Sequence, residues 1–326
     1  MARRTAATAR LTPEMVSTML LSAARQHRSD DRGGSRHAAG LLTQRCAEQP
    51  DLVEAAVRSA VPPLVGAAWN LGWSPADLSQ LARRRLDERG VDYLLDVLAD
   101  EAGRSVPGGG HERWREQLRR LGAQVWWDPA RGHFGQWIRR RRAHPVDALA
   151  TVIGVLALLM SLPKLPTITP PAGEAPLPGT RGGVDQKVLA KVRGLLAKAE
   201  STTFPDEAEA LSTKAQELMT RYALERVAVQ SEDGPAPQQG SARRLWLDNP
   251  YVAAKALLVD AVADANRCRA VLSEKLGFVT VLGDELDLEM VELLTTSLLV
   301  QATRAMVSAG SRTSRTGQSR TRSFRH

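Results

Sequence analysis

Six histidines have the widest chemical range in this 326-residue chain: His27, His37, His111, His133, His144 and His326. None stands in an HExxH pair or beside a C-x-x-C pair, the spacings that bring imidazole and thiolate onto one metal ion. Cys46 and Cys268 lie 222 positions apart, which excludes a disulfide framework and a cysteine-rich cluster. No G-x-S-x-G elbow presents a nucleophilic serine, and Gly108-Gly109-Gly110 lacks the G-K-[ST] that completes a phosphate loop. The acidic set Asp284, Glu285, Asp287, Glu289 and Glu292 could hold magnesium or exchange protons. Acids in a first helical turn more commonly offset the helix dipole. The sequence therefore marks no catalytic residue, no metal ligand and no cofactor site.

Two basic clusters remain. Arg139, Arg140, Arg141 and Arg142 follow Trp137 at an expected helix end. The C-terminal segment spaces Arg312, Arg315, Arg320, Arg322 and Arg325 among Ser, Thr and Gly, with no acid after Glu292. Such an arm is expected to be irregular alone and suits a phosphate backbone. Charge position agrees: the net charge is +8, and residues 1–165 hold 24 basic and 17 acidic side chains. Residues 166–240 are net −2 and residues 241–302 net −3. Of the 44 basic residues 37 are arginine, but this bias accompanies Ala and Gly richness and has no functional weight by itself.

The elements that would position these clusters read as mainly α: a helical N-terminal domain, a central α-hairpin and a small α+β module of order α-β-β-α. A Pro/Gly-rich linker spans 163–183 and a polar one 231–242, which bounds the domains at 11–162, 184–230 and 243–310, with a basic tail over 311–326. In the first domain Ser74-Pro75 is a helix start for Leu78, Leu81, Ala82 and Leu86, with Gly90 expected to stop that helix. The tryptophans Trp69, Trp73, Trp114, Trp126 and Trp127 are expected to supply core bulk in a chain with four Phe and three Tyr. Trp137, next to the arginine run, is the one that could stack on a base.

The apolar run 146–162 ends at Pro163 and is shorter than the roughly 20 residues a membrane span needs, so a buried helix is expected there. With no apolar core following the basic residues 1–10, the reading is a cytoplasmic protein without a membrane partner.

The clearest pattern lies in the middle. Val188, Val192, Leu195, Leu196 and Ala199 form one helical stripe, and Ala208, Leu211, Ala215, Leu218, Met219 and Tyr222 a second. Thr203 and Asp206 bracket a capping box with Pro205 in the first turn of the next helix, and Leu218 and Met219 are expected to be buried against the first helix. Two short amphipathic helices make an antiparallel hairpin too small to be stable alone, so its apolar face should dock on a neighbour.

The segment from Lys191 to Glu225 resembles the bacterial and phage family known as domain of unknown function 2786. The matching positions are Leu195, Leu196, Lys198, Ala199, Glu200, Glu207, Ala208, Lys214, Ala215, Leu218, Met219 and Tyr222. The tryptophan-containing N-terminal half is similar to an extension of actinobacterial members. The resemblance implies a hairpin followed by a small second module, and a further helix beyond His326. It implies no activity.

In the third segment Pro250 opens a helix with Val252, Leu257, Leu258 and Val262. Cys268–Leu272 and Phe278–Leu282 read as a β-hairpin with Gly277 at its turn, and Asp284–Val307 as a long helix. The functional expectation is a non-enzymatic nucleic-acid-associated binding protein that uses its arginine-rich segments. The rivals are a protein-interaction module on the apolar hairpin face and an enzyme with its site in the α+β module.

Overall fold

A computed structural model of the chain describes residues 11–27, 32–104, 111–166, 183–233 and 241–315. The Pro107–Gly110 break, most of the two linkers and Arg320, Arg322 and Arg325 lie outside these residues. The chain divides into two compact units, Met1–Ala175 and Pro176–His326.

The described part of the first unit is helical. Helices α1 (Pro13–Gln26), α2 (Arg32–Arg45), α3 (Pro50–Asn70) and α5 (Glu88–Arg104) all pack on α8 (Pro145–Met160). Between them stand α4 (Pro75–Arg85), α6 (His111–Arg120) and α7 (His133–Arg141). Helix α8 is the apolar run of the sequence, and Leu149, Val152, Ile153, Val155 and Leu156 are at most 1% exposed. Among the described residues no helix is long and apolar enough to cross a membrane.

Local caps follow the sequence with two exceptions. The Ser74 hydroxyl accepts the N–H of Asp77, and the Asp77 carboxylate accepts the Ser74 N–H, a reciprocal capping box. Helix α4 then ends at Arg85, before Gly90. Gly90 sits in the first turn of α5, where a Cβ would come 2.9 Å from that of Leu86. Its small size is for packing, and Asp87 starts the helix by accepting the Gly90 N–H at 2.9 Å. In the hairpin, Thr202 rather than Thr203 supplies the hydroxyl at the turn before α10: it accepts the Phe204 N–H at 3.2 Å and donates to Glu207 in the first turn.

The second unit joins the hairpin, α9 (Gly183–Ser201) and α10 (Pro205–Asp233), to the α+β segment. That segment is β1 (Ser241–Trp246), α11 (Val252–Ala265), β2 (Arg269–Ser273), β3 (Phe278–Gly283) and α12 (Glu285–Arg315). The sheet is antiparallel in order β1-β3-β2, so the expected hairpin is present and gains a strand the sequence reading lacks. Leu189, Val192, Ala215 and Met219 of the hairpin share one core with Val259 of α11, Val281 of β3 and Val291 of α12. The docking partner of the apolar hairpin face is thus the α+β segment itself.

Candidate functional site

The end of α7 is built from the inside outwards. Gly132 enters the helix at φ 74°, ψ 152°, backbone that essentially only glycine adopts. A Cβ there would fall 2.3 Å from the Glu54 carboxylate. That space lets Glu54, reaching from α3, accept the N–H groups of Phe134 (3.2 Å) and Gly135 (2.7 Å). A negative charge thus caps the positive end of α7. Trp137 then points inward, is fully buried and meets Tyr93 edge-on at 5.3 Å between ring centroids. It is unavailable to a nucleic-acid base, which corrects the expectation drawn from its neighbours.

Carboxylates of α5 hold this aromatic layer. Asp92 accepts the Trp137 indole N–H at 3.1 Å, and Asp96 accepts that of Trp126 at 2.9 Å while bonding His133 Nε2 at 2.9 Å. Burial, with Glu54, Asp96 and Asp100 nearby, holds the Tyr93 hydroxyl far above its ordinary value.

The four arginines divide. Arg141 pairs with Asp92, and Arg140 lies 4.2 Å over the Trp126 ring. Arg139 and Arg142 are exposed and make no ion pair among the described residues, Arg142 ending the helix in the left-handed conformation at φ 48°. Arg83, Arg84 and Arg85, in the last turn of α4, are also exposed, a run the sequence reading passed over. At the other end of the chain α12 continues to Arg315, so Arg312 and Arg315 stand on helical backbone.

Charge in the second unit is closed pair by pair around the start of α12. Arg226 pairs with Asp284 at 3.3 Å and Arg267 with Asp287 at 2.6 Å. Arg193 pairs with Glu289, and Arg243 reaches both Glu285 and Glu292. Asp284 also accepts the Leu286 N–H at 3.0 Å. The acidic set is therefore a clamp that ties α12 to α9, α10, β1 and the turn before β2. Among the described residues no group of three or more His, Cys, Asp or Glu is arranged to hold a metal ion. Cys268 is buried, which pushes its thiol up to about 11 and leaves it protonated and poorly nucleophilic at neutral pH.

The outward face of the hairpin differs. Lys191, Gly194, Leu195 and Lys198 of α9 and Lys214, Glu217, Leu218 and Arg221 of α10 line one open groove of about 470 Å³. The four cations are exposed and make no ion pair among the described residues. Sequence reasoning missed this set because it read Lys198 and Lys214 only as markers of a resemblance. The signal was there: each helix repeats cation, leucine, cation at i, i+4 and i+7. Leu218 lines this groove half-buried, whereas its neighbour Met219 is 1% exposed, so only the second is a full core residue.

Fold and surface chemistry together define a mainly helical protein whose α-hairpin, with a small antiparallel sheet at its back, carries a basic groove. Within it, residues 187–226, the hairpin and its groove, match the family described as a protein of unknown function (DUF2786). No curated protein and no solved structure matches the chain at a significant level.

Proposed function

We propose that this protein binds nucleic acid without transforming it, through contacts to the phosphate backbone. The observation that carries the reading is a contrast within one unit. Every acid at the start of α12 has an arginine partner, while Lys191, Lys198, Lys214 and Arg221 have no carboxylate partner among the described residues. Exposed cations without carboxylate partners are open to phosphates, and the release of the counterions condensed on a nucleic acid when they neutralise it is the main driving force for backbone binding. Arg139 and Arg142 offer a second surface of the same kind in the first unit. Arg312 and Arg315, with Arg320, Arg322 and Arg325 beyond the described residues, extend the basic chemistry along the chain.

The rival reading, a partner protein held on the apolar hairpin face, has less support because that face is covered by α11, β3 and α12. An enzyme sited in the α+β segment is disfavoured by the arginine pairing of its acids. The test is fluorescence anisotropy of the full chain with labelled DNA and RNA at 50 and 200 mM salt. Binding should be weakly sequence-dependent and fall steeply with salt. Failure to bind either polymer at micromolar protein in low salt would remove the proposal.

A further inference from the structure

The geometry points to the hairpin groove as the seat of a single-stranded phosphodiester chain. Its phosphates lie on Lys191, Lys198, Lys214 and Arg221, and its sugars and base faces on Leu195 and Leu218. This assignment rests on the nucleic-acid reading above and adds the strand state and the seat.

Each wall of the groove carries two cations seven residues apart, about 10 Å along the helix axis at 1.5 Å per residue. Between them each wall places one half-buried leucine, so an apolar strip runs between charged rims. A duplex hides its base faces in the stack and offers nothing to such a strip; an unpaired strand exposes them. Four cations face the single carboxylate of Glu217, so the charge is matched to a chain of monoanionic phosphates. No aromatic ring is in the lining, so ring stacking contributes nothing there and the affinity rests mainly on the phosphate contacts, which carry no base preference.

Gly194 provides a handle on the groove that leaves its charge unchanged. It sits inside α9, where glycine weakens a helix, and a Cβ added to it would meet nothing within 4 Å. Packing does not require a glycine there. Its absent side chain leaves the groove lining open at that point, as at Gly40, Gly66 and Gly103 in other helices, so a larger residue there would take up groove space without straining the fold.

The experiment compares full-length wild type, Gly194→Leu and Lys198→Ala/Lys214→Ala on a labelled oligothymidylate and on the same strand annealed to its complement. Wild type should bind the single strand at least tenfold more tightly, with a log–log salt slope near −3, from about −0.7 per contact. Gly194→Leu fills the groove without changing charge, and should lose at least tenfold in affinity at an unchanged slope and an undiminished melting temperature. The lysine pair should flatten the slope by about 1.4. Wild type that binds neither strand would sink the nucleic-acid reading and this assignment together. Wild type that binds while both variants match it would overturn the groove as the seat and leave the broader reading standing. Equal or tighter binding of the duplex would overturn the single-strand assignment alone.

Discussion

Two glycines should answer a methyl group in opposite directions. Gly132→Ala forces an L-residue into glycine-only backbone and drives its Cβ into the Glu54 carboxylate that caps α7. A cost of about 2–3 kcal/mol is expected. Gly194→Ala meets open space inside a helix and should gain about 0.5–1 kcal/mol. Urea denaturation of the two variants checks both signs, and a wild-type midpoint for Gly132→Ala would dismiss the Glu54 cap. Glu101 makes a pH-dependent counterpart. Burial holds its carboxyl above the ordinary value of 4.5, against the lowering pull of Arg104. The folded state therefore binds that proton more tightly than the unfolded chain, and its charge opposes folding at all pH values above the raised one. This cost shrinks as pH falls and is gone near 4.5. Glu101→Gln, which keeps an acceptor oxygen, should melt higher than wild type at pH 7, with the gap closing towards pH 4.5. A gap that stays constant across that range would mean the charge is not its source.

At the scale of elements, periodicity located helices well and faces only in part. The 3.6-residue stripes of the hairpin were legible, but a stripe three residues wide does not say which edge residue reaches the core. Met219 belongs to the buried set and Leu218 to the groove wall. Met219→Ala should thus cost about 2–5 kcal/mol, and Leu218→Ala clearly less, since its site is open on one side and leaves no closed cavity. Equal losses in thermal denaturation would put Leu218 back in the core. Strand β1 was illegible for an electrostatic reason. Its alternation is carried by Arg243 and Leu245 on the side facing the helices, and an arginine at an inward position reads as a linker until its partners are known. Glu285 and Glu292, more than 40 residues later, supply that partner, and against burial, which pulls it down, the Glu292 and Glu285 carboxylates hold Arg243 above its ordinary value. The same long-range pairing converts the acidic set from a candidate site into a clamp. No local pattern could reveal it, whereas the groove cations could have been found from spacing alone.

For the molecule as a whole, composition separates stretches of chain but does not say which stretches share a core. The hairpin and the α+β segment each present half of an apolar surface, and their common cluster forms across the polar stretch between them. The basic surfaces, in contrast, stand in different units: Arg139 and Arg142 in the first, the groove cations in the second. Surfaces in separate units contribute together only when one ligand is long enough to touch both, and the second contact then forms at a high effective concentration. Strand length therefore becomes the variable. On a single strand of roughly eight nucleotides, within the usual span of one binding site, Lys198→Ala/Lys214→Ala should weaken binding and Arg139→Ala/Arg142→Ala should not. On a strand several times longer both pairs should weaken binding, each flattening the salt slope by about 1.4, with losses that add in the logarithm because the pairs share no partner. Titrations of the four proteins on the two strands decide it. An arginine pair that is silent on the long strand would confine nucleic-acid contact to the hairpin, and one that already weakens the short strand would make α7 part of the primary seat.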